Sequence, residues 1–157
     1  MALEDLPRLL QSVNRLFYEN TPDDRYATLF FADYNDATRC LRYANCGHNP
    51  PLLLRAGGNL EKLCATATVL GMFRDWSCVI EEVFLEPGDT LLIYTDGITE
   101  ALDPNGEEFG EARLKKIFCT HQREPVNELL RSILDAVQKF SGAEQADDLT
   151  LFIARSR

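Results

Sequence analysis

Two short apolar runs bounded by acidic residues constrain the fold of this chain more than any other feature of its sequence. Residues 90–95 (TLLIYT) are followed by Asp96 and Gly97, and residues 149–154 (LTLFIA) are preceded by Asp147 and Asp148. Apolar runs of this length, rich in β-branched residues, indicate buried strands. If these strands are antiparallel neighbours, the end of one and the start of the other lie at the same sheet edge. Asp96 and Asp147 then converge.

Convergent carboxylates repel one another, so such a pair needs a shared proton or a bound cation. Mg²⁺ and Mn²⁺ suit the site because they take oxygen ligands and often retain water. Two such ions would activate a bridging water and hold a phosphate for in-line attack. Taken singly, each position also has a purely structural interpretation. Asp-Gly after a strand is an ordinary turn, and an Asp-Asp pair can begin a surface strand.

The rest of the pattern predicts helices at the ends of, and between, a series of strands. An amphipathic helix is expected over residues 3–17 and hairpins over 26–45 and 51–64, while residues 79–85 are predicted to pair antiparallel with 90–95. Helices are expected over residues 112–118 and 126–140, the second ending at Gly142. The length of 157 residues suits one domain. We therefore predict a single α+β domain over residues 1–157, with layered, largely antiparallel sheets.

The net charge of −9 argues against nucleic acid and anionic lipid as partners, because both would be repelled on average. The acidic residues are concentrated, since no Lys or Arg occurs between Arg74 and Arg113. This stretch is either a solvated face or a region that attracts cations.

The other residue types point to a cytoplasmic protein without a side-chain nucleophile. No apolar run approaches the roughly 20 residues of a membrane-spanning helix, and the first ten residues do not resemble a secretory signal. Five cysteines at spacings unlike those of zinc sites indicate free thiols, most of them small core residues. His48 is expected to form local hydrogen bonds in a turn, and His121 to be exposed with no partner.

Three segments, taken in order, carry a family resemblance: LRYANCGHNPPLLLR, LEPGDTLLIYTDGITEALDPNGEEFGEARL and ADDLTLFIA. Together they resemble the metal-dependent protein phosphatase (PPM) family, in its bacterial SpoIIE/RsbU-like branch. The resemblance implies a serine/threonine phosphatase that uses Mn²⁺ or Mg²⁺, with two ions in the complete domain. It also implies two mainly antiparallel β-sheets packed between helices.

The resemblance also implies roles for individual residues. Asp96 and Asp147 match catalytic metal ligands, Gly97 matches a glycine whose backbone lies beside the metal site, and Asp148 is a second-choice ligand. Residues 99–101 (Thr99, Glu100 and Ala101) match a switch segment that couples partner binding to assembly of the metal site. The implied substrate is a phosphorylated STAS-domain anti-anti-sigma-like protein, whose dephosphorylation regulates a sigma factor in bacterial signalling.

One part of the family pattern is missing from this sequence. The family carries another metal-binding aspartate upstream, in a D-x-S-G-K-G or D-G-x-G-like loop. None of the early aspartates has an adjacent glycine loop: Asp5, Asp23, Asp24, Asp33 and Asp36. We therefore expect an N-terminally truncated domain, with a sensor domain upstream in the parent chain. On its own, this chain is expected to bind metal weakly and have little activity. Its exposed first helix is expected to favour a homodimer.

Two other functional classes stay open at this point. A non-catalytic regulatory or interaction module would keep the fold and lack the metal centre, and the missing upstream aspartate favours it for this chain. A calcium-binding module is a weaker alternative because the sequence has no EF-hand spacing.

Overall fold

The structure, a computed structural model, describes residues 5–22, 24–142 and 148–157, in two compact units. The first unit comprises Met1–Pro50 and Leu63–Leu85, and the second comprises Pro51–Lys62 and Glu86–Arg157. The elements are α1 (Leu6–Asn20), β1 (Leu29–Asn35), β2 (Cys40–Cys46), β3 (Leu52–Leu54), β4 (Leu60–Lys62), β5 (Glu81–Phe84), β6 (Thr90–Tyr94), α2 (Asp96–Thr99), α3 (Gly110–Thr120), α4 (Val126–Ser141) and β7 (Leu151–Arg155). The assignment of residues 1–157 to a single domain stays a prediction.

The first unit packs helix α1 on a three-stranded antiparallel sheet of order β1-β2-β5. Asp5 caps the helix by accepting a hydrogen bond from the Arg8 backbone N–H at 3.1 Å. Leu10 is buried against Ala44 and Cys46 of β2. The predicted helix and the predicted hairpin of β1 with β2 are both confirmed.

The second unit contains a four-stranded antiparallel sheet of order β4-β3-β6-β7. Its core combines Leu52 of β3 and Leu92 of β6 with apolar residues of helices α3 and α4, such as Leu114 and Ile133. Helix α4 ends where Gly142 adopts a φ of 73°, as predicted. The α+β class with antiparallel sheets flanked by helices is therefore confirmed.

The predicted pairing of the strand at 79–85 with β6 is wrong. Strand β5 pairs with β2, whereas β6 pairs with β3 and β7. Hydrogen bonds of the residues that connect β5 to β6 explain this separation. The Leu85 N–H donates to the Arg39 carbonyl, the Glu86 N–H to the Asp89 carboxylate, and the Gly88 N–H to the Ser156 carbonyl.

The cysteines are free thiols, as predicted, in environments that differ. Cys40 and Cys46 are buried, and Cys64 and Cys119 are exposed. Burial raises the pKa of the Cys46 thiol to about 11, so it stays protonated at neutral pH. Within the described residues, no helix has both the length and the apolar character needed to cross a membrane.

A buried ion pair fixes the start of β6. Asp89 is 1% exposed, and its carboxylate accepts hydrogen bonds from the Ala56 N–H at 2.8 Å and the Glu86 N–H at 2.9 Å. The Arg55 guanidinium donates to the same carboxylate at 2.9 Å and to Glu61 at 2.8 Å. Burial alone would raise the pKa of Asp89, but the two backbone donors and Arg55 outweigh it and hold the pKa below its usual value.

We expect Asp89→Asn to lower the free energy of unfolding by about 2 kcal/mol at neutral pH, because a charge-assisted network loses its acceptor. Urea unfolding measures this loss. Because the folded-state pKa is depressed, the contribution of Asp89 is present above its unfolded-state pKa of about 4 and is lost as the pH falls through the folded value. The difference in the free energy of unfolding between the wild-type chain and Asp89→Asn should therefore become smaller at acidic pH. The exposed control Asp36→Asn should leave stability unchanged, and an equal loss there would contradict this account.

Candidate functional site

The end of β6 and the start of β7 meet at one edge of the second sheet. Tyr94 is the register partner of Leu151 in the antiparallel pair. Just beyond it, the Thr95 N–H donates to the Thr150 carbonyl at 3.1 Å, and the Thr150 N–H donates to the Thr95 hydroxyl at 3.0 Å. The two strands are therefore antiparallel neighbours, which is the condition under which the two acidic segments were expected to converge.

Asp96 lies at this edge, directly after β6, as the first residue of the one-turn helix α2. Its side chain is exposed, and Oδ1 accepts a hydrogen bond from the Gly97 N–H at 3.0 Å. Its carbonyl accepts from the Glu100 N–H at 2.8 Å and from the Thr99 hydroxyl at 3.2 Å. The backbone of α2 thus sets the position of this carboxylate.

Gly97 brings the backbone of α2 into contact with the segment before β7. A Cβ placed on this buried glycine would lie 2.6 Å from the Asp148 carbonyl oxygen and 3.2 Å from Leu149 Cδ2. Cβ atoms do not approach a backbone oxygen so closely, so a side chain cannot be accommodated here without movement of one backbone. The glycine therefore allows the segments that carry Asp96 and Asp148 to lie side by side.

The second acidic segment is described in part. Asp148 is exposed at the same edge, while Asp147 lies outside the described residues. Among the residues that the structure describes, no three His, Cys, Asp or Glu side chains gather as a metal site. The donors that are present, carboxylate and backbone carbonyl oxygens, nevertheless fit Mg²⁺ or Mn²⁺, because these ions bind through few carboxylates and retain water.

The segment after Asp96 is closely tied to the core of the second unit. Ile98 of α2 is buried in that core, and the Ala101 carbonyl accepts a hydrogen bond from the Phe109 N–H at 2.8 Å. In the intervening loop, the Asp103 carboxylate accepts from the Glu107 N–H at 2.8 Å. Residues 99–101 thus connect α2 to the loop that precedes α3.

Arg155 at the far end of β7 is a positioning residue that the sequence did not reveal. It donates to the Thr90 hydroxyl of β6 at 2.8 Å and to the carbonyls of Gln122 and Glu124 at 2.8 and 2.7 Å. The strand pair is thereby fastened to the loop between α3 and α4. Since these partners are distant in sequence, no local pattern signalled them.

The histidines lie in two different settings. The His48 backbone N–H donates to Asn45 Oδ1 at 2.9 Å, whereas the ring Nδ1 lies 3.5 Å from the hydroxyl of Thr28, so among the described residues the side chain does not form the local hydrogen bond that was predicted. His121 does have a partner, contrary to expectation, because its Nδ1 lies 2.8 Å from Glu124 Oε1. Helix α3 ends at Thr120, and the turn that follows brings these two side chains together.

Most acids between Arg74 and Arg113 are exposed, which favours a solvated face for this stretch. Three members are exceptions, of which Asp103 is half-buried and accepts hydrogen bonds from the Asn105 and Glu107 N–H groups. Asp89 is buried with Arg55, and Glu111 pairs with Lys62 at 2.8 Å and Lys115 at 3.1 Å.

The sequence profile of the Stage II sporulation protein E (SpoIIE) family matches residues 1–157. Phosphoserine phosphatase RsbU of Bacillus subtilis is 28% identical over 164 residues, covering 99% of this chain and 49% of RsbU. Protein IcfG of Synechocystis is 33% identical over 128 residues, covering 80% of this chain and 20% of IcfG. The chain thus spans about half or less of the length of these curated relatives.

Solved structures share the fold. The SiaA-PP2C domain of Pseudomonas aeruginosa matches with a TM-score of 0.82 at 20% identity, covering 96% of this chain and 61% of that one. The RsbU and RsbW domains of Rv1364c from Mycobacterium tuberculosis match with a TM-score of 0.77 at 25% identity, covering 96% of this chain and 42% of that one.

We expect Gly97→Ala to lower the free energy of unfolding by about 2 kcal/mol, because the new methyl group overlaps the Asp148 carbonyl. Chemical denaturation measures the change. Gly57→Ala is the matched control, since a Cβ at Gly57 meets nothing within 4 Å. Equal stabilities of the two variants would refute the close approach of α2 to the segment before β7.

Proposed function

Because the chain belongs to the SpoIIE family, we propose that it forms part of a metal-dependent phosphatase acting on phosphoserine or phosphothreonine of a partner protein. The observation that carries this proposal is the position of Asp96 at the end of β6, with Gly97 packed against the backbone of Asp148 at the start of β7. This arrangement offers oxygen donors at a single sheet edge, and such donors suit hard divalent cations.

Asp96 and Asp147 are the proposed principal metal ligands, with Asp148 as a further carboxylate and the Gly97 backbone beside the ions. Mg²⁺ or Mn²⁺, as two ions in the complete domain, would supply charge stabilisation for a phosphoryl group and lower the pKa of water. One solved relative of this fold, RsbX, is a complex with magnesium. The ions that this chain uses stay a prediction.

The chain's own contribution is to orient oxygen donors. The Gly97 N–H fixes one carboxylate oxygen of Asp96, and the Thr99 hydroxyl and Glu100 N–H hold its backbone. In the reaction, water attacks phosphorus as the bond to the serine or threonine oxygen breaks. Inorganic phosphate forms, and the side-chain hydroxyl is regenerated by a proton from water.

The proposed substrate is a phosphorylated STAS-domain-like regulatory protein in sigma-factor control. Its support is that the relatives RsbU and RsbP are both named phosphoserine phosphatases. An upstream sensor domain and a switch at residues 99–101 belong to the same proposal. The hydrogen bond from Thr99 to the Asp96 carbonyl supports that switch, since it links the segment directly to a ligand. A cytoplasmic location stays a prediction.

A non-catalytic regulatory or interaction module is the second candidate function. The observation that favours it is that, within the described residues, no third acidic, histidine or cysteine side chain joins a metal site. A measurement of phosphate release distinguishes the phosphatase from the non-catalytic module, because only the phosphatase hydrolyses a phosphoprotein.

We expect Mn²⁺-dependent phosphate release from a phosphoserine protein, weak in the 157-residue chain and faster in any longer natural chain that contains it. Asp96→Asn should reduce the rate about 100-fold, because a charged metal ligand becomes a neutral amide. Asp135→Asn, an exposed acid on α4, is the matched control and should retain full activity. Absence of metal-dependent turnover from every form would favour the interaction module.

An exposed apolar stripe on α1 supports the proposed homodimer. Leu9, Val13 and Leu16 are 39%, 37% and 62% exposed and lie at helical spacing on one face. Sedimentation at micromolar concentration should show a dimer that Leu16→Glu dissociates and that the α4 surface control Gln138→Glu leaves intact. A monomeric wild-type chain would contradict this proposal.

A further inference from the structure

An arginine-lined cleft with a volume of about 810 Å³ lies in the first unit, between helix α1 and residues 74–77. The helix lines it with Arg8, Gln11, Ser12 and Arg15. These positions follow the i, i+3, i+4, i+7 spacing of a single helix face. That face is distinct both from the one that buries Leu6 and Leu10 and from the apolar stripe through Leu9, Val13 and Leu16.

The cleft is built on a buried polar connection. Asn14 is 1% exposed, its amide donates to the Phe73 carbonyl at 3.0 Å, and its Oδ1 accepts from the Gly71 N–H at 2.9 Å. On the other wall, Trp76 is 7% exposed and its indole N–H donates to the Thr68 carbonyl at 3.0 Å. Both walls are therefore held before any ligand arrives.

The lining is cationic in a chain whose net charge is −9, with three arginines against one aspartate, Asp75. Arg8 pairs with Asp5, which caps α1, and Arg15 pairs with Glu19 of α1; the two arginine side chains are 84% and 68% exposed. Exposed ion pairs of this kind contribute little, so both guanidiniums remain available to a ligand. Across residues 5–22, 24–142 and 148–157, Arg74 forms no ion pair.

We propose that this cleft binds an acidic segment of a partner protein. Guanidinium groups recognise carboxylates through paired hydrogen bonds, and the Gln11 amide and Ser77 hydroxyl add neutral donors. Arg8 and Arg15 are separated by about 10 Å along the helix, the length of about three residues of extended chain. Acidic side chains two or four positions apart lie on one face of an extended segment, and their separations of about 7 and 13 Å bracket that distance.

A protein segment fits better than nucleic acid. Three arginines neutralise few phosphates, and the excess acidic charge of the chain repels a polyanionic backbone. The proposal is independent of the metal centre, because every residue that lines the cleft belongs to the first unit whereas Asp96 and Asp148 belong to the second.

The test uses Trp76, the only tryptophan in the sequence, as a reporter in the wall of the cleft. A short oligoglutamate peptide should change its fluorescence saturably at low salt, and added NaCl should weaken binding because the contact is partly exposed. Arg74→Gln should weaken binding about tenfold, since it removes a charged donor. Arg123→Gln, an exposed arginine of the second unit, is the matched control and should bind like wild type.

A second variant separates loss of binding from loss of folding. Glu19→Gln releases Arg15 from its ion pair, so it should tighten peptide binding about twofold. Absence of saturable binding, or binding unaffected by both Arg74→Gln and Glu19→Gln, would overturn the proposal. Tighter binding of single-stranded DNA than of oligoglutamate would overturn it as well, because the cleft would then select phosphates.

Discussion

The antiparallel pairing of β6 with β7 is the interaction on which the candidate site depends. It joins two distant parts of the chain in register from Thr90 with Arg155 to Tyr94 with Leu151. Because the pairing is antiparallel, the chain leaves β6 and enters β7 at the same edge, where Asp96 and Asp148 lie. The absence of a side chain at Gly97 then lets the two backbones approach. The proposed site for hard cations depends on this strand direction and on the lack of a side chain at Gly97.

The opposite end of the same strand pair is held by charged side chains. Arg155 binds Thr90 and two loop carbonyls, while Asp89 accepts hydrogen bonds from Arg55 and from backbone N–H groups. A buried carboxylate such as that of Asp89 costs desolvation energy and is tolerated because its oxygens accept hydrogen bonds. They fix the register of β6, and a register shift of one residue would turn its side chains to the other face of the sheet. The geometry at Asp96 thus depends on contacts made at the other end of the strand.

The sequence predicted the parts of the fold that local pattern determines. Apolar periodicity located α1 and α4, and turn residues located both hairpins, because these signals act over a few residues. It also placed Asp96 at a strand end. It assigned the wrong partner to β5, because a tight turn such as 86–89 suggests a hairpin. Instead, the Leu85 N–H donates to the Arg39 carbonyl and the Gly88 N–H to the Ser156 carbonyl, which separates the strands. The sequence did not predict the roles of Arg55 and Arg155, because Asp89 and Thr90, to which they donate hydrogen bonds, are remote from them in sequence.

The central claim is that Asp96 helps to hold a divalent cation at the edge formed by β6 and β7. Titration of the chain with Mn²⁺, followed by electron paramagnetic resonance of the free ion, tests it directly and without a substrate. The account predicts saturable binding that Mg²⁺ displaces and that Asp96→Asn weakens about tenfold or more while circular dichroism stays unchanged. Mn²⁺ binding of equal affinity in the wild-type chain and in Asp96→Asn, or no binding by either, would contradict it.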